Sequence, residues 1–363
     1  MSSPIAVDAM GGDRAPAEVV RGAIRAVEEM EGLRLELVGS ESDIHSEFEA
    51  AGFKGESITV VPASEVVGMG EGPVEAVRNK KDSSIVVGLE RVRDGEASAF
   101  VSAGNTGACV AAASLLLRTL PEARKAGIAV ELKVGEKPLI LMDVGANVEA
   151  RPEHLAQYGV MASLYASRIH GVENPSVGLL NIGEEGAKGN RLAKQTHDLF
   201  ASSGLNFQGN VEAGELFRGR CDVAVCDGFT GNIVLKMAEG LAERLFRIFK
   251  EGAEEVISGA ARISGSADGA LSPDLEKLVQ SSLADLGSKI DYAESGGAPL
   301  LGVDGTVIIS HGRSGAKAIS NAIRTANKMA EVDINGLIVQ NLRAFSKQSV
   351  SAWNAGTEET VED

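Results

Sequence analysis

Aromatic residues make up only 4% of this 363-residue chain, and tryptophan occurs once. Glycine, by contrast, occurs 43 times. That balance disfavours an all-β sandwich and suits an α/β enzyme built on small residues and permissive loops. Basic residues are also scarce, with 35 Lys and Arg against 51 Asp and Glu, a formal charge of −16. Non-specific nucleic-acid binding needs a basic footprint, so nucleic acid is excluded as a general partner. The three cysteines, Cys109, Cys221 and Cys226, are odd in number and sit in apolar surroundings, which argues against a disulfide framework and reads as buried free thiols, with a nucleophilic role for Cys226 beside Asp227 as the alternative. The five histidines lack ligand spacing with cysteines or carboxylates, so no metal is expected. No uninterrupted apolar run reaches membrane-spanning length. A strand pattern begins within a few residues of Met1, so no signal peptide is expected and the cytosol is the expected compartment.

Familiar nucleotide and hydrolase signatures are missing as well. The first turn, Ala9-Met10-Gly11-Gly12-Asp13, does not match the dinucleotide fingerprint G-x-G-x-x-G. His311-Gly312-Arg313-Ser314-Gly315-Ala316-Lys317 lacks the Walker A spacing, and no G-x-S-x-G elbow occurs. No organic cofactor is therefore expected.

What is present is a core-forming composition, 44% hydrophobic and 24% charged, and a repeated local pattern. Six apolar runs end in a small polar or acidic residue and open onto a glycine-rich turn: IAVDAMGGD from Ile5, AFVSAGNTG from Ala99, LILMDVGAN from Leu139, GLLNIGEEGAKGN from Gly178, VAVCDGFTGN from Val223 and VIISHGRSG from Val307. Helical periodicity follows each turn, as in Val20, Ala23, Ile24 and Val27 after Pro16. Strand, loop and helix in alternation predict a mostly parallel sheet with helices on both faces. Ligands of such sheets bind outside the strands' carboxyl ends, where loop amides and helix starts attract anions. The expectation is six polar loops directed at one crevice that holds a small anion.

Residues 240–290 depart from the alternation. Two helical stretches are joined by SGAARISGSADGALSP, Ser258 to Pro273, which reads as a helical hairpin inserted in one α/β domain covering 1–345. The remainder, 346–363, is polar and acidic, and a frayed tail is expected there.

Within the turns, Asn105-Thr106-Gly107 and Asn232 stand at predicted helix starts, where Asn is either a cap or a donor to an oxyanion or phosphate oxygen. Lys188 lies at the start of another helix and opposes its dipole, a cost that a bound anion relieves; the alternative is a solvated lysine. Asp8, Asp143 and Asp227 end strands; turn duty suits Asp143, whereas Asp13 and Asp227 are candidates to partner a lysine or arginine. His311 is positioned to donate to developing negative charge, or else is a satisfied loop histidine. Leu241, Leu245 and Phe249 share a helix face that reads as core, dimer packing or a contact with an acyl chain or membrane. Arg244, Arg247 and Lys250 on that helix suit an acidic partner.

The strings AVDAMGGDRAP, VSAGNTGA, DVGANV, NIGEEGAKGN, GNVEA, VCDGFTGN, GGAPLLG and HGRS occur in this order between Ile5 and about Lys328, and together they resemble the PlsX family of bacterial phosphate acyltransferases. Arg14 stands where many relatives carry histidine, so no catalytic role passes to it. The resemblance implies transfer of a long-chain fatty acyl group from acyl carrier protein to inorganic phosphate. The acyl phosphate would then serve a membrane glycerol-3-phosphate acyltransferase (PlsY-type) in phospholipid synthesis. It also implies a homodimer without metal or cofactor, peripheral to the membrane. The implied fold is a Rossmann-like three-layer αβα sandwich akin to isocitrate and isopropylmalate dehydrogenases. On this reading Gly11, Gly12, Asn105, Gly107 and Lys188 bind phosphate, with Asp8, Asp13, Thr106, Asn147 and Asp227 around the substrates. Asn232 would stabilise the tetrahedral oxyanion and His311 would assist departure of the thiolate. Two alternatives stay open: a phosphotransacetylase-like enzyme using a coenzyme A thioester, and a non-catalytic lipid-binding adaptor acting through the hairpin.

Overall fold

The computed structural model describes residues 3–134, 137–263 and 296–358, together with positions 277, 279, 281 and 282. It is an α/β structure built on one mixed sheet. The first half contains β1 (Ile5–Asp8), α1 (Ala17–Glu29), β2 (Leu35–Gly39), α2 (Glu41–Ala51), β3 (Ile58–Pro62), α3 (Pro73–Asn79), α4 (Ser84–Arg93), β4 (Ala99–Ser102) and α5 (Thr106–Leu116). The second contains β5 (Gly127–Val134), β6 (Lys137–Met142), α6 (Pro152–His170), β7 (Val177–Asn181), α7 (Arg191–Ala201), β8 (Phe207–Glu212), β9 (Val223–Val225) and α8 (Gly228–Ile263). The chain then returns through β10 (Ala298–Leu301) and β11 (Thr306–Ile309) to α9 (Ala316–Glu331) and α10 (Ile334–Glu358).

Local chemistry accounts for most element ends. Pro73 opens α3, where its missing N–H costs nothing. Gly52 and Gly171 close α2 and α6 in the left-handed conformation. Strands β1, β2, β4 and β11 are buried at every position, as expected of a sheet covered on both faces. Fully buried Phe100, Tyr158 and Tyr165 are among the large side chains of the core, and burying each contributes about 2–3 kcal/mol. On the flanks, α1 packs with α9, α3 and α4 pack with α5, and α6 packs with α7 and α10.

The eleven strands lie in the order β3-β2-β1-β4-β11-β10-β5-β6-β9-β7-β8. Strands β3, β2, β1, β4 and β11 are mutually parallel. Then β11–β10, β10–β5 and β5–β6 are antiparallel. Finally β6, β9, β7 and β8 are again mutually parallel. Three successive reversals leave β6, β9 and β7 running opposite to β1, β4 and β11. The mostly parallel sheet is therefore as the alternation predicts, but its two parallel halves point in opposite directions.

Residues 233–292 form a second compact unit. Its described part is mainly α8 from Ile233 onward, the first arm of the expected hairpin. The joint beyond Ile263 and most of the second arm lie outside the described residues, apart from helical positions Lys277, Val279, Ser281 and Ser282. At the C-terminal end α10 continues to Glu358, so helix extends through much of the stretch expected to fray, and residues 359–363 lie outside the described residues.

Candidate active site

The opposed halves of the sheet divide the six polar turns into two groups. Turns after β1, β4 and β11 leave one edge of the sheet, and turns after β6, β7 and β9 leave the other. The nearest strands of the two groups, β11 and β6, are three strand spacings apart, about 14 Å. A four-residue strand adds about 13 Å between the edges. The expectation of one crevice fed by all six turns is therefore corrected: a single chain presents two clusters, one around Gly12 and one around Lys188.

At the Gly12 edge, three adjacent parallel strands end side by side and their turns are cross-bonded. Asp13 N–H donates to the Gly312 carbonyl at 2.7 Å, and Ser310 N–H donates to the Ser102 carbonyl at 2.8 Å. Asp8 is buried; its Oδ1 accepts from Met10 N–H at 3.1 Å and its Oδ2 from Ser102 Oγ at 2.7 Å. Burial pushes the Asp8 carboxyl above the ordinary aspartate value, opposed by hydrogen bonds from Ser84, Ser102, Met10 and Gly11. The turn itself demands glycine. A Cβ on Gly11 would lie 2.7 Å from Gly104 N, and Gly12 has φ +111°. Residues 9–14 thus lie directly against the 102–105 and 310–313 turns.

Asn105 caps α5, its Oδ1 accepting from Ala108 N–H at 3.0 Å. Its Nδ2 donates to the carbonyls of Gly68, Met69 and Glu71, each at 3.2 Å. The side chain is committed to a cap and to a loop, which is the capping alternative in fuller form. The amides of Thr106 and Gly107, in the first turn of α5, have no intrahelical acceptor. His311 Nδ1 accepts from Arg313 N–H at 3.2 Å, which assigns the neutral ring's proton to Nε2 and makes that atom a donor. Asp13 forms no ion pair with lysine or arginine among the described residues. Its backbone, not its carboxylate, holds the turn.

The other edge is built more tightly around structural roles. Asp143 Oδ1 accepts from the N–H groups of Ile128, Gly145 and Ala146 at 3.1, 3.2 and 3.0 Å. Its Oδ2 accepts from Asn147 N–H at 2.8 Å and Asn147 Nδ2 at 3.2 Å. That is the turn duty expected of it. Asn147 Nδ2 also contacts the Ala126 carbonyl at 2.5 Å and Tyr158 Oη at 2.8 Å, so its amide is held within the fold. Asp227 accepts from Thr230 N–H at 2.9 Å and Thr230 Oγ1 at 2.8 Å, which makes it the cap of α8 and not the partner of a cation. Since α8 begins at Gly228, Asn232 lies one turn inside it. Its amide belongs to the helix, and its exposed side chain lies beside Gly145. Lys188 is exposed, 4.0 Å from Glu185, in the loop before Asn190, which caps α7 through Ala193 N–H. Cys226 is buried against the Asp143 carbonyl, and burial raises its thiol pKa, which favours the protonated thiol.

The loop Glu65–Gly72 went unmarked in the sequence. It is placed over the Gly12 edge by Asn105, and Met69 Cε would lie 3.1 Å from a Cβ on Gly312. Its partners are 34 to 37 residues away along the chain, and the local signal is three glycines, Gly68, Gly70 and Gly72, alternating with residues that include exposed Met69.

Comparison with known proteins adds to this geometry. The fatty acid synthesis protein family matches residues 4–336. A phosphate acyltransferase of Desulfitobacterium hafniense is 48% identical over 343 residues, covering 94% of this chain and 98% of the relative. One of Pelotomaculum thermopropionicum is 45% identical over 352 residues, covering 97% of each. Among solved structures, a phosphotransacetylase from Streptococcus pyogenes aligns with a TM-score of 0.58 at 17% identity, over 91% of this chain and 94% of that one, which is a likeness of fold.

Proposed function

Because the chain belongs to the fatty acid synthesis protein family, we propose that it is an acyltransferase that moves a long-chain fatty acyl group from acyl carrier protein to inorganic phosphate. The acyl phosphate would feed phospholipid synthesis through a membrane glycerol-3-phosphate acyltransferase. The observation that carries this reading is the convergence of three glycine turns at the ends of adjacent strands β1, β4 and β11.

Phosphate is largely dianionic near neutral pH and is itself a nucleophile, and a thioester is an activated acyl donor. The protein's work is positioning and charge stabilisation. The amides of Gly12, Thr106 and Gly107 bind phosphate at the Gly12 edge. A phosphate oxygen adds to the thioester carbonyl carbon, the tetrahedral oxyanion collapses, and the C–S bond breaks with the electron pair leaving on sulfur. His311 Nε2–H donates a hydrogen bond to the departing thiolate. A well-placed donor of this kind is worth about 3 kcal/mol in the transition state.

Lys188 and Asn232 stand at the opposite edge of the same sheet, so we assign them to this chemistry through a homodimer, in which one protomer's Lys188 loop meets the partner's Gly12 edge. Leu241, Leu245 and Phe249 are exposed on α8 at spacings of four, and they serve as the peripheral membrane or acyl-chain contact. No helix among the described residues is long and apolar enough to cross a membrane. The test is release of free carrier thiol from palmitoyl-acyl carrier protein with and without inorganic phosphate. Phosphate-dependent release is expected; release that ignores phosphate, or none, would end the reading.

A further inference from the structure

We propose that the surface of α3 and its adjoining loop is the docking site for an acidic carrier protein that delivers the acyl thioester to the Gly12 edge. The inference rests on the acyl-carrier reading above. It begins from charge: a chain of formal charge −16 disfavours an acidic partner overall, so docking one beside the site needs cations exposed there.

Helix α3 touches that site at its first residue. A Cβ on Gly107, in the first turn of α5, would lie 2.6 Å from Pro73 Cγ, so the two helices start in contact. Val74 and Arg78 follow one helical turn apart on one face, and both are exposed. Arg78 is five residues from Pro73, about 8 Å along the helix. Neither Arg78 nor Glu75, the carboxylate on α3, forms an ion pair among the described residues. Lys81 is exposed just past the helix end and, among the described residues, its Nζ bonds the Val77 carbonyl of its own turn, at 3.2 Å, and forms no ion pair. Lys80, by contrast, is spent internally: its Nζ bonds Glu71 Oε1 at 2.5 Å and the Val66 carbonyl at 2.7 Å, fastening the loop. The side of the cluster left for a partner is therefore Arg78 and Lys81.

Beside these cations the fastened loop exposes apolar side chains, Val66 at 41% and Met69 at 52%, and Val74 adds 49%. Apolar side chains with Arg78 and Lys81 exposed beside them are what an acidic helical carrier with an apolar acyl load would cover, with Glu65, Glu75 and Asp82 left to the margin of the contact. Another cationic stretch, Arg244, Arg247 and Lys250, belongs to the separate α8 unit. The α3 surface instead lies in the same unit as the Gly12 edge and in contact with it.

The experiment is steady-state thiol release from palmitoyl-acyl carrier protein by wild type, the Arg78→Glu/Lys81→Glu variant and a remote charge reversal, Lys54→Glu, at low and high salt. The double variant should raise KM for the carrier substrate about tenfold with kcat within about twofold, and salt should narrow the gap by weakening wild type. Lys54→Glu should match wild type. An unchanged KM in the double variant, an equal rise in Lys54→Glu, or a fall in kcat alone would overturn the docking site while leaving the enzyme reading intact. A wild-type protein without phosphate-dependent release would instead overturn the enzyme reading, and this inference with it.

Discussion

Asp8 illustrates how one side chain sets a local pH response. It is buried beneath the Gly12 turn, and burial raises its carboxyl above the ordinary value of 3.8. A raised folded value means that the folded chain holds the proton more firmly than the unfolded one. The group's contribution to stability is then fully present below the unfolded pKa and is lost as pH rises through the folded one. Asn at this position never ionises. The Tm of Asp8→Asn relative to wild type should therefore improve as pH rises above the ordinary aspartate value of 3.8. A difference that stays flat above that value would show that Asp8 titrates normally. At this scale the sequence was informative about residue type and weak about role. It marked Asp143 for turn duty, and five N–H contacts bear that out. It also offered Asn147 and Asp227 for substrate, and the structure uses both to hold turns. A carboxylate or amide after an apolar run looks the same in sequence whichever partner it meets.

Among elements, the join between α5 and the Glu65–Gly72 loop depends on Asn105. The amide does two separable jobs: its oxygen caps α5 and its nitrogen holds three carbonyls of the loop. Asn105→Asp keeps an acceptor for the cap but cannot donate; Asn105→Ala loses both, and the cap alone is worth about 1 kcal/mol. Hydrogen exchange should quicken in residues 66–72 in both variants, and at the first turn of α5 in the alanine variant only. Loop protection surviving in Asn105→Asp would mean that the carbonyl contacts contribute nothing. Most helices and strands were legible, because capping glycines, Pro73 and apolar periodicity act within a few residues. The start of α8 was not: Asp227, and not a residue near Asn232, caps it, since the sequence DGFTGN carries three cap-type residues, Asp227, Thr230 and Asn232.

For the molecule as a whole, the opposed halves of the sheet are the decisive fact. Lys188 and His311 belong to turns on opposite edges, so their joint action requires two copies of the chain. Lys188→Ala and His311→Ala should each lose most activity as pure proteins. Mixed and refolded together, a fraction of dimers carries one intact composite site, and activity should recover to roughly a quarter of wild type on statistical pairing. No recovery, with dimers formed, would place Lys188 outside the reaction. Normal activity in Lys188→Ala alone would do the same.

From sequence alone came the repeated strand–turn–helix unit, the acidic composition and the likeness to a phosphate acyltransferase family. All of these arise from interactions among near neighbours or from composition. Tertiary structure decided which turns share an edge, because that depends on β10 and β5, whose antiparallel pairing joins Leu300 to Ile128 across nearly half of the chain. It also decided which polar side chains were already bonded, because partners such as Gly68 for Asn105 become neighbours only when distant segments pack.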